Sequence, residues 1–244
     1  MKIGIIGGSG AEKLFSFSEI NSIETQFGIV EVSIGTVGSA EVIFIPRHGS
    51  AHDLLPHEVN YRANISAFGQ LGTDYIISTS AVGSLHKKFK PGEFLLLNDF
   101  IDFSKQRVLS FFGGGKIGHA DMHEPYSAKL NKLIKIAAKK ITGNNIPEVV
   151  YVGVEGPRFE TRSEIKMFQK IGGHVVGMTN VPEVVLANEL GLPYSSLATV
   201  ANFACGIVDG AILHEDVELV MAKKKEQMSA IIFETINLIC KERG

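Results

Sequence analysis

The chain alternates short apolar runs with longer stretches in which apolar residues recur every three or four positions. The short runs have the length of buried β-strands, and the longer stretches have the period of amphipathic helices. Strands that alternate with helices are typical of an α/β fold, in which helices cover a central sheet. No linker, repeat or low-complexity segment interrupts the pattern, so the sequence predicts a single α/β domain over residues 1–244.

The predicted strands and helices follow one another through most of the chain. The strands are Lys2–Ile6, an antiparallel set within 27–45, Asp74–Thr79, Glu93–Asn98, Val149–Val154, His174–Gly177 and Ser195–Val200. The helices are Pro56–Leu71, Tyr126–Ile141, Ser163–Ile171, Pro182–Leu190 and Val217–Cys240. Between them, Ile101–His123 is long and irregular, and a loop of that length in a compact domain is usually functional or mobile.

Composition and charge exclude several classes of protein. Hydrophobic residues make up 45% of the chain and charged residues 20%, so a sizeable core is expected. The net charge is −2, and the run Lys223–Lys225 lies in a helical pattern typical of a solvated face, so no nucleic-acid partner is expected. No apolar run approaches the ~18 residues of a membrane span, and Met1 leads directly into a strand, so neither a membrane nor a signal peptide is expected.

Metal and redox chemistry are not expected either. The two cysteines, Cys205 and Cys240, have no metal-ligand or redox spacing, which favours a reduced, cytoplasmic setting. His119 and His123 are four residues apart, but Pro125 and the nearby glycines argue against a helix, and no glutamate completes a zinc motif. The sequence predicts no metal and no cofactor.

Polar side chains stand where several apolar runs end. Glu160, Thr179 and Asn202 supply a carboxylate, a hydroxyl and an amide at such points. In an open α/β sheet the strand ends line the ligand crevice. This mixture suits a neutral heterocycle with donors and acceptors on its edge, together with an anion nearby.

Donors for that anion follow the earlier strands. Ser9 lies in a glycine turn after the first strand, where backbone amides can approach an anion, although a plain turn is the alternative and a dinucleotide fingerprint fails on spacing. Arg47 and His48 follow a buried strand and could clamp the anion, or belong to a surface turn. Small residues at Ser80–Ala81 permit close backbone approach to a ligand, or form a compact turn.

The residues also limit the type of reaction. No serine lies in a nucleophile elbow, and no carboxylate pair is isolated enough to suggest ordinary glycoside hydrolysis. An anion site beside a site that reads a base suggests that the anion itself is the nucleophile.

Five motifs spread over nearly the whole chain resemble the purine nucleoside phosphorylase family, and within it the methylthioadenosine phosphorylase branch. They are Ile5–Gly10, Pro46–Gly49, Val59–Ile65, Glu155–Phe159 and Met178–Glu183. The resemblance implies a single-domain three-layer α/β/α fold with a mixed central sheet, and a cytoplasmic enzyme that assembles as a homotrimer. It implies that inorganic phosphate, as co-substrate, attacks the anomeric carbon of a purine nucleoside and releases the free purine and a ribose 1-phosphate.

The resemblance also implies roles for individual residues. Phosphate would be held by Ser9, Arg47, His48, Ser80, Ala81 and Thr179. The ribose would pack on Met178 and the base on Phe159, while Asn202, with Phe203 and Ala204 beside it, would stand next to ring nitrogen seven of the departing purine. The groups that take part in catalysis would be Asn202, Glu160 and His48.

Two positions depart from the methylthioadenosine pattern. That branch has serine where Glu160 stands, and Asp-x-Asp where Asn202-Phe203-Ala204 stands. Glutamate and asparagine here are similar to the branch that cleaves inosine and guanosine. A 6-oxopurine presents a ring N–H that a carboxylate accepts and an oxygen to which an amide donates, and adenine presents the opposite pattern.

The other end of the substrate is similar to the methylthio branch. Val217, Val220 and Met221 stand where that branch lines an apolar pocket, although they could equally be helix core, and His119 matches a residue that a neighbouring subunit contributes. The preferred hypothesis is a 6-oxopurine nucleoside phosphorylase that favours 5′-methylthioinosine. The alternatives are a methylthioadenosine phosphorylase and a non-catalytic nucleotide-binding module.

Overall fold

The computed structural model describes residues 1–8, 17–51 and 53–243, and within them a mixed β-sheet is covered by helices. The strands are β1 (Lys2–Gly7), β2 (Phe17–Thr25), β3 (Gly28–Val37), β4 (Ala40–Pro46), β5 (Tyr75–Ser84), β6 (Phe94–Phe103), β7 (Glu148–Val154), β8 (Val175–Gly177) and β9 (Tyr194–Phe203). The helices are α1 (Tyr61–Gln70), α2 (Ala128–Thr142), α3 (Arg162–Lys170), α4 (Asn180–Glu189) and α5 (His214–Arg243). The predicted single-domain α/β fold with a mixed sheet is confirmed.

The sheet order is β2-β3-β4-β1-β5-β8-β7-β6-β9, with β5 also paired to β9. The strands β4, β1, β5 and β9 run parallel to one another, whereas β8 is antiparallel to β5, and β6 is antiparallel to β9. The second β5 pairing makes β5, β8, β7, β6 and β9 a closed ring of neighbours. In this arrangement β5 is the strand from which the two halves of the sheet diverge.

Alternation along the strands divides the core into two main layers. Ile3 and Ile5 of β1 face a cluster that contains α2 and α5, whereas Ile6 faces a cluster that contains α1 and α4. Neighbouring residues of a strand point to opposite faces, so an unbroken apolar run is what a strand buried on both faces requires. A smaller third cluster lies beneath α3 and includes Val176, Phe168 and Ala204.

Helix ends differ from the sequence predictions for local reasons. Helix α1 begins at Tyr61 rather than Pro56, because the Asn60 side chain accepts a hydrogen bond from the Ala63 amide and caps the helix. Helix α3 is capped by Thr161 rather than Ser163, since Thr161 and Glu164 form a reciprocal capping box. Within the described residues, none of the helices has both the length and the apolar character that a membrane crossing needs.

Candidate functional site

The predicted site residues converge around the second half of β5. There β8 pairs with β5 in antiparallel register, with Gly83 opposite Val176 and Ser84 opposite Val175, so β8 runs towards the middle of β5. On the other side β9 runs parallel to β5 and places Asn202 beside Gly83. Because β4, β5 and β9 are parallel, Arg47 and Asn202 lie towards the same edge of the sheet, as the sequence analysis expects, whereas Met178 and Thr179 follow a strand that runs in the opposite direction to β5.

Arg47 is held inside the protein by a carboxylate. Its Nε donates to Oε1 of Glu183 at 2.5 Å and its Nη2 donates to Oε2 at 3.0 Å, and the two side chains are 2% and 0% exposed. Nη2 also donates to the Ser78 hydroxyl at 2.7 Å, and Nη1 donates to the Thr79 carbonyl at 2.8 Å. Burial alone would lower the pKa of Arg47, but the adjacent Glu183 carboxylate outweighs it and raises the pKa, so the guanidinium stays charged.

A buried polar network continues from Glu183 to Ser80. The Tyr194 hydroxyl lies 2.7 Å from Oε2 of Glu183 and 3.1 Å from Oδ1 of Asn180, and its one proton can serve either oxygen. Asn180 Nδ2 donates to the Ser196 hydroxyl at 3.0 Å, and that hydroxyl lies 3.5 Å from the Ser80 hydroxyl. Burial raises the pKa of Tyr194 far above its ordinary value, so this phenol stays protonated.

Thr179 stands at the N-terminus of α4. The buried Tyr151 hydroxyl accepts hydrogen bonds from the amides of Thr179 at 3.1 Å and Asn180 at 3.4 Å. The Thr179 side chain makes no capping bond to its own helix and is half-buried. Two of the first amides of α4 are thus satisfied by a tyrosine, and the threonine hydroxyl is placed at a helix N-terminus, where an anion is favoured.

The two other side chains predicted to bind phosphate are those of His48 and Ser9. Nδ1 of His48 lies 2.8 Å from the Leu54 carbonyl oxygen, and since a carbonyl only accepts, Nδ1 carries the proton. In the neutral ring Nε2 is then an acceptor, and only the imidazolium donates from both nitrogens. Ser9 lies outside the described residues.

The turn after β7 is shaped by Gly156. Its φ of +70° lies in the left-handed region, and a Cβ built on it would stand 2.5 Å from the Met178 sulfur. Glycine therefore lets Met178 pack directly on this turn. The contact joins the residue predicted to lie under the ribose to the Glu155–Phe159 motif that leads to Glu160.

Arg107 locks the same turn to the segment that follows β6. Its Nε donates to Oε1 of Glu155 at 2.8 Å, its Nη2 donates to the Glu155 carbonyl, and its Nη1 donates to the Tyr61 hydroxyl at 2.9 Å. Oε2 of Glu155 accepts from the amides of Lys105 at 2.7 Å and Gln106 at 3.1 Å. Burial tends to raise the pKa of Glu155, but these hydrogen bonds outweigh it, and the pKa is lowered.

Glu160 is 7% exposed at the start of α3, and Phe159 beside it is half-buried. Burial raises the pKa of the Glu160 carboxyl group. Burial raises the pKa of the Cys205 thiol, and the negative charge of the Glu160 carboxylate raises it further. A Cβ on Gly206, whose φ is +79°, would lie 2.9 Å from the Arg162 side chain, so the loop after β9 packs on the start of α3.

Asn202, Phe203 and Ala204 line a cavity of about 250 Å³ at the end of β9. Asn202 Nδ2 donates to the Phe203 carbonyl at 2.9 Å, and an amide nitrogen carries a second donor. Cys205 also lines this cavity, whereas Glu160 lines a neighbouring cavity of about 310 Å³ between α3 and the end of β6. Gly206 also lines the Asn202 cavity and approaches the Arg162 side chain, so the loop after β9 joins the segments that carry Asn202 and Glu160.

Of the four residues predicted to line the 5′ pocket, only Val220 lines one of the two cavities described above. Val220 lines the Asn202 cavity, together with Ile212, Leu213 and Asp216, which the sequence interpretation missed. Val217 and Met221 are half-buried and line neither cavity, and the exposed His119 lines neither as well. The apolar pair Ile212–Leu213 directly before α5 was the sequence signal that could have extended the prediction.

Among the residues that the structure describes, no cluster of three or more His, Cys, Asp or Glu side chains could hold a metal ion. The sequence interpretation did not single out Ser78, Tyr194, Asn180 or Arg107, all of which support site residues.

The sequence is similar to a protein family and to named relatives over nearly its whole length. A family model described as the phosphorylase superfamily matches residues 2–237. The chain is 42% identical to a probable 6-oxopurine nucleoside phosphorylase of Moorella thermoacetica, over 100% of this chain and 95% of that protein. It is 41% identical to the 6-oxopurine nucleoside phosphorylase of Pyrococcus furiosus, and 40% identical to the S-methyl-5′-thioadenosine phosphorylase of Pyrococcus abyssi, in each case over 99% of this chain and 94% of the relative.

Solved structures resemble the fold over the same extent. A methylthioadenosine phosphorylase from an Antarctic soil metagenomic library superposes with a TM-score of 0.92 at 34% identity, over 99% of this chain and 87% of that one. The methylthioadenosine phosphorylase of Schistosoma mansoni in complex with adenine superposes with a TM-score of 0.93 at 33% identity, over 99% of this chain and 92% of that one.

Replacing Arg107 should loosen the turn that leads to Glu160. Arg107→Ala removes three hydrogen bonds and leaves the partly buried Glu155 carboxylate without its cation. We expect the free energy of unfolding in urea to fall by about 3 kcal/mol, and the Lys105 and Gln106 amides to exchange hydrogen faster. Lys140→Ala, which removes an exposed ion pair with Glu234, should cost less than about 1 kcal/mol. Unchanged exchange at both amides would contradict the role of Arg107.

Proposed function

The chain belongs to the phosphorylase superfamily, and we propose on that premise that its preferred substrates are 6-oxopurine nucleosides, first among them 5′-methylthioinosine. It is an enzyme of the nucleoside phosphorylase type, a pentosyltransferase that cleaves purine nucleosides with phosphate. The observation that carries the proposal is the buried Glu160 carboxyl group just before α3, where the loop that lines the Asn202 cavity packs on the Arg162 side chain.

Donor and acceptor chemistry supports the choice of base. A 6-oxopurine has a protonated ring nitrogen one, which the Glu160 carboxylate accepts, and a 6-oxygen, to which the Asn202 amide donates. Adenine would place an unprotonated nitrogen against the carboxylate, so two acceptors would face each other. Relatives at 41–42% identity carry the 6-oxopurine name, in agreement with this choice.

The reaction uses phosphate as its nucleophile, and we infer that no cofactor takes part. Ser9, Ser80, Ala81 and Thr179 would donate to the phosphate, with Arg47 and His48 at its other side. A phosphate oxygen forms a bond to the anomeric carbon as the bond to purine nitrogen nine breaks, and the electron pair leaves with the purine. Asn202 donates to the purine edge as negative charge gathers there. Catalysis rests on positioning and on the phosphate charge that faces the ribosyl cation.

The second candidate is a 5′-methylthioadenosine phosphorylase. It is favoured by the apolar residues Val220, Ile212 and Leu213 at the Asn202 cavity, which suit a thioether, and by relatives that carry that name. Met178 would lie under the ribose and Phe159 under the base in either case. The third interpretation, a non-catalytic nucleotide-binding module, is less well supported, because the chain matches a family of enzymes.

A cytoplasmic location agrees with Cys205 and Cys240, which are both free cysteines.

A panel of nucleosides distinguishes the two candidates. We expect methylthioinosine to be cleaved about 10⁴-fold more efficiently than methylthioadenosine, because a buried site built for one donor pattern leaves its own groups unpaired with the other. Inosine, guanosine and adenosine complete the panel, measured by release of free base with and without phosphate. Methylthioadenosine cleaved at least as well as methylthioinosine would overturn the proposal.

Variants assign that preference to residues. Glu160→Ser should cost the 6-oxopurine activity most, and the triple change Glu160→Ser, Asn202→Asp and Ala204→Asp should move preference toward adenine nucleosides. Glu234→Gln, which removes a carboxylate that pairs with Lys140 on the surface, should leave the ratio unchanged.

Activity should also depend on the protonation of Glu160. Burial raises the pKa of this carboxyl group above its ordinary value of 4.5, and the carboxylate accepts a stronger, charge-assisted hydrogen bond from the purine N–H than the protonated acid does. The kcat/KM for methylthioinosine should therefore fall as pH drops through this raised pKa. Glu160→Gln keeps an acceptor that does not titrate, so the kcat/KM of the parent divided by that of the variant should fall as the pH is lowered. Because the ionisation of phosphate affects both proteins equally, it cancels in the ratio. A ratio that does not change with pH would refute the dependence on Glu160.

We propose that the enzyme is a homotrimer in which His119 completes the 5′ pocket of a neighbour. Phe103 at the end of β6 and Phe111 and Phe112 after it are half-buried, and the Phe111 ring packs on the Phe27 ring with 5.3 Å between their centroids. The exposed apolar residues of the segment after β6 are Ile117, at 89%, and Val108, at 55%. Analytical ultracentrifugation should find a trimer, and His119→Ala should raise the KM for methylthioinosine without changing the KM for phosphate. An active monomer would disprove the assembly.

A further inference from the structure

We infer that Glu183 is a positioning residue for the phosphate site, because it fixes Arg47 between the two elements that present the other phosphate donors. The inference rests on the phosphate site proposed above. Glu183 does not itself touch substrate in this arrangement, since it is 0% exposed and its carboxylate is occupied by protein donors.

The contact between the two side chains is a bidentate fork. Nε and Nη2 of Arg47 reach one oxygen each of Glu183, at 2.5 and 3.0 Å. A planar guanidinium held at two points cannot rotate about its own axis, so the direction of its third nitrogen, Nη1, is fixed as well. Nη1 donates to the Thr79 carbonyl at 2.8 Å.

Those partners lie directly beside the predicted donors. Thr79 precedes Ser80 and Ala81 on β5, so the Nη1 bond holds the backbone that presents them. Glu183 lies in the first turn of α4, and Thr179 is the N-cap of the same helix. One buried guanidinium therefore sets the distance between the β5 donors and the N-terminus of α4.

Two further bonds orient the carboxylate itself. The Ser78 hydroxyl, on β5, donates to Oε2 of Glu183 at 3.1 Å. The Tyr194 hydroxyl, on β9, lies 2.7 Å from the same oxygen. Tyr194 also reaches Asn180, the first residue of α4, at 3.1 Å. The carboxylate is thus oriented from three elements, and loss of its charge would free Arg47 to turn.

The test separates phosphate from nucleoside. Glu183→Gln keeps the shape of the side chain and removes its charge. We expect the KM for phosphate to rise about tenfold or more, because misplacement of a binding group by about 1 Å costs up to about 10²-fold. The KM for the nucleoside should change by less than threefold. Phosphate should also raise the melting temperature of the variant less than that of the parent.

Two controls keep the result interpretable. Glu148→Gln removes a partly exposed carboxylate that pairs with Lys135, and should change neither KM. Tyr194→Phe removes one hydroxyl from Glu183 but keeps both charges, and should raise the KM for phosphate about threefold; it decides the question if Glu183→Gln fails to fold.

The outcomes also separate this inference from the proposed phosphate site. If Arg47→Ala leaves the KM for phosphate unchanged, the phosphate site itself is misassigned. The positioning role is overturned if Arg47→Ala raises the KM for phosphate but a folded Glu183→Gln leaves it within twofold of the parent. Where Glu183→Gln does not fold, the same limit applies to Tyr194→Phe. Equal increases in both KM values would overturn it too, because a general structural defect predicts that result.

Discussion

The buried pair of Arg47 and Glu183 is the interaction on which the proposed phosphate site depends. Taking two charges out of water is costly, and the cost is offset only where good geometry and further hydrogen bonds satisfy both ions. Here the carboxylate accepts from Arg47 and Ser78 and lies within hydrogen-bond distance of the Tyr194 hydroxyl, and the guanidinium also donates to the Thr79 carbonyl. Ser78 and Thr79 lie on β5 and Tyr194 lies on β9. Arg47 follows β4, and Glu183 lies on α4. The donors are therefore held in place before phosphate arrives, which is the condition for electrostatic preorganisation.

The base side has a separate support. Ala204 belongs to the small third cluster, in which Val176 packs with Phe168 of α3, and not to the two main layers. The turn that leads to Glu160 is tied by Arg107 to the segment after β6. Because these supports differ from those of Arg47 and Glu183, the residues proposed to read the base can differ while the proposed phosphate site stays constant. Relatives of nearly equal identity that carry 6-oxopurine and methylthioadenosine names agree with that separation.

Local patterns predicted most elements, and the errors have physical causes. Apolar runs located the strands except β2 (Phe17–Thr25), and the bonds that distant groups make to the buried Ser78 of β5 show in no local pattern. The Thr161–Glu164 capping box is a local pattern, so the start of α3 at Arg162 rather than Ser163 could have been predicted from the sequence. Glu183 follows a proline in the first turn of a helix, where a glutamate is usually solvated, so its partner 136 residues away could not be inferred. The reversed direction of β8 is likewise a long-range property.

The proposed selection of 6-oxopurines by Glu160 follows from the burial of its carboxyl group. Its carboxyl group has been removed from water, and burial raises its pKa, so the ionised form is held at a cost. A purine N–H offsets that cost by donating to the carboxylate, in surroundings where a hydrogen bond to a charged group is stronger than in water. An adenine ring offers no proton there, so the cost remains and a repulsion between acceptors is added. Asn202 discriminates less, because a primary amide can rotate and exchange its donor for its acceptor. The fixed sign of the carboxylate therefore makes Glu160 the stronger determinant of specificity.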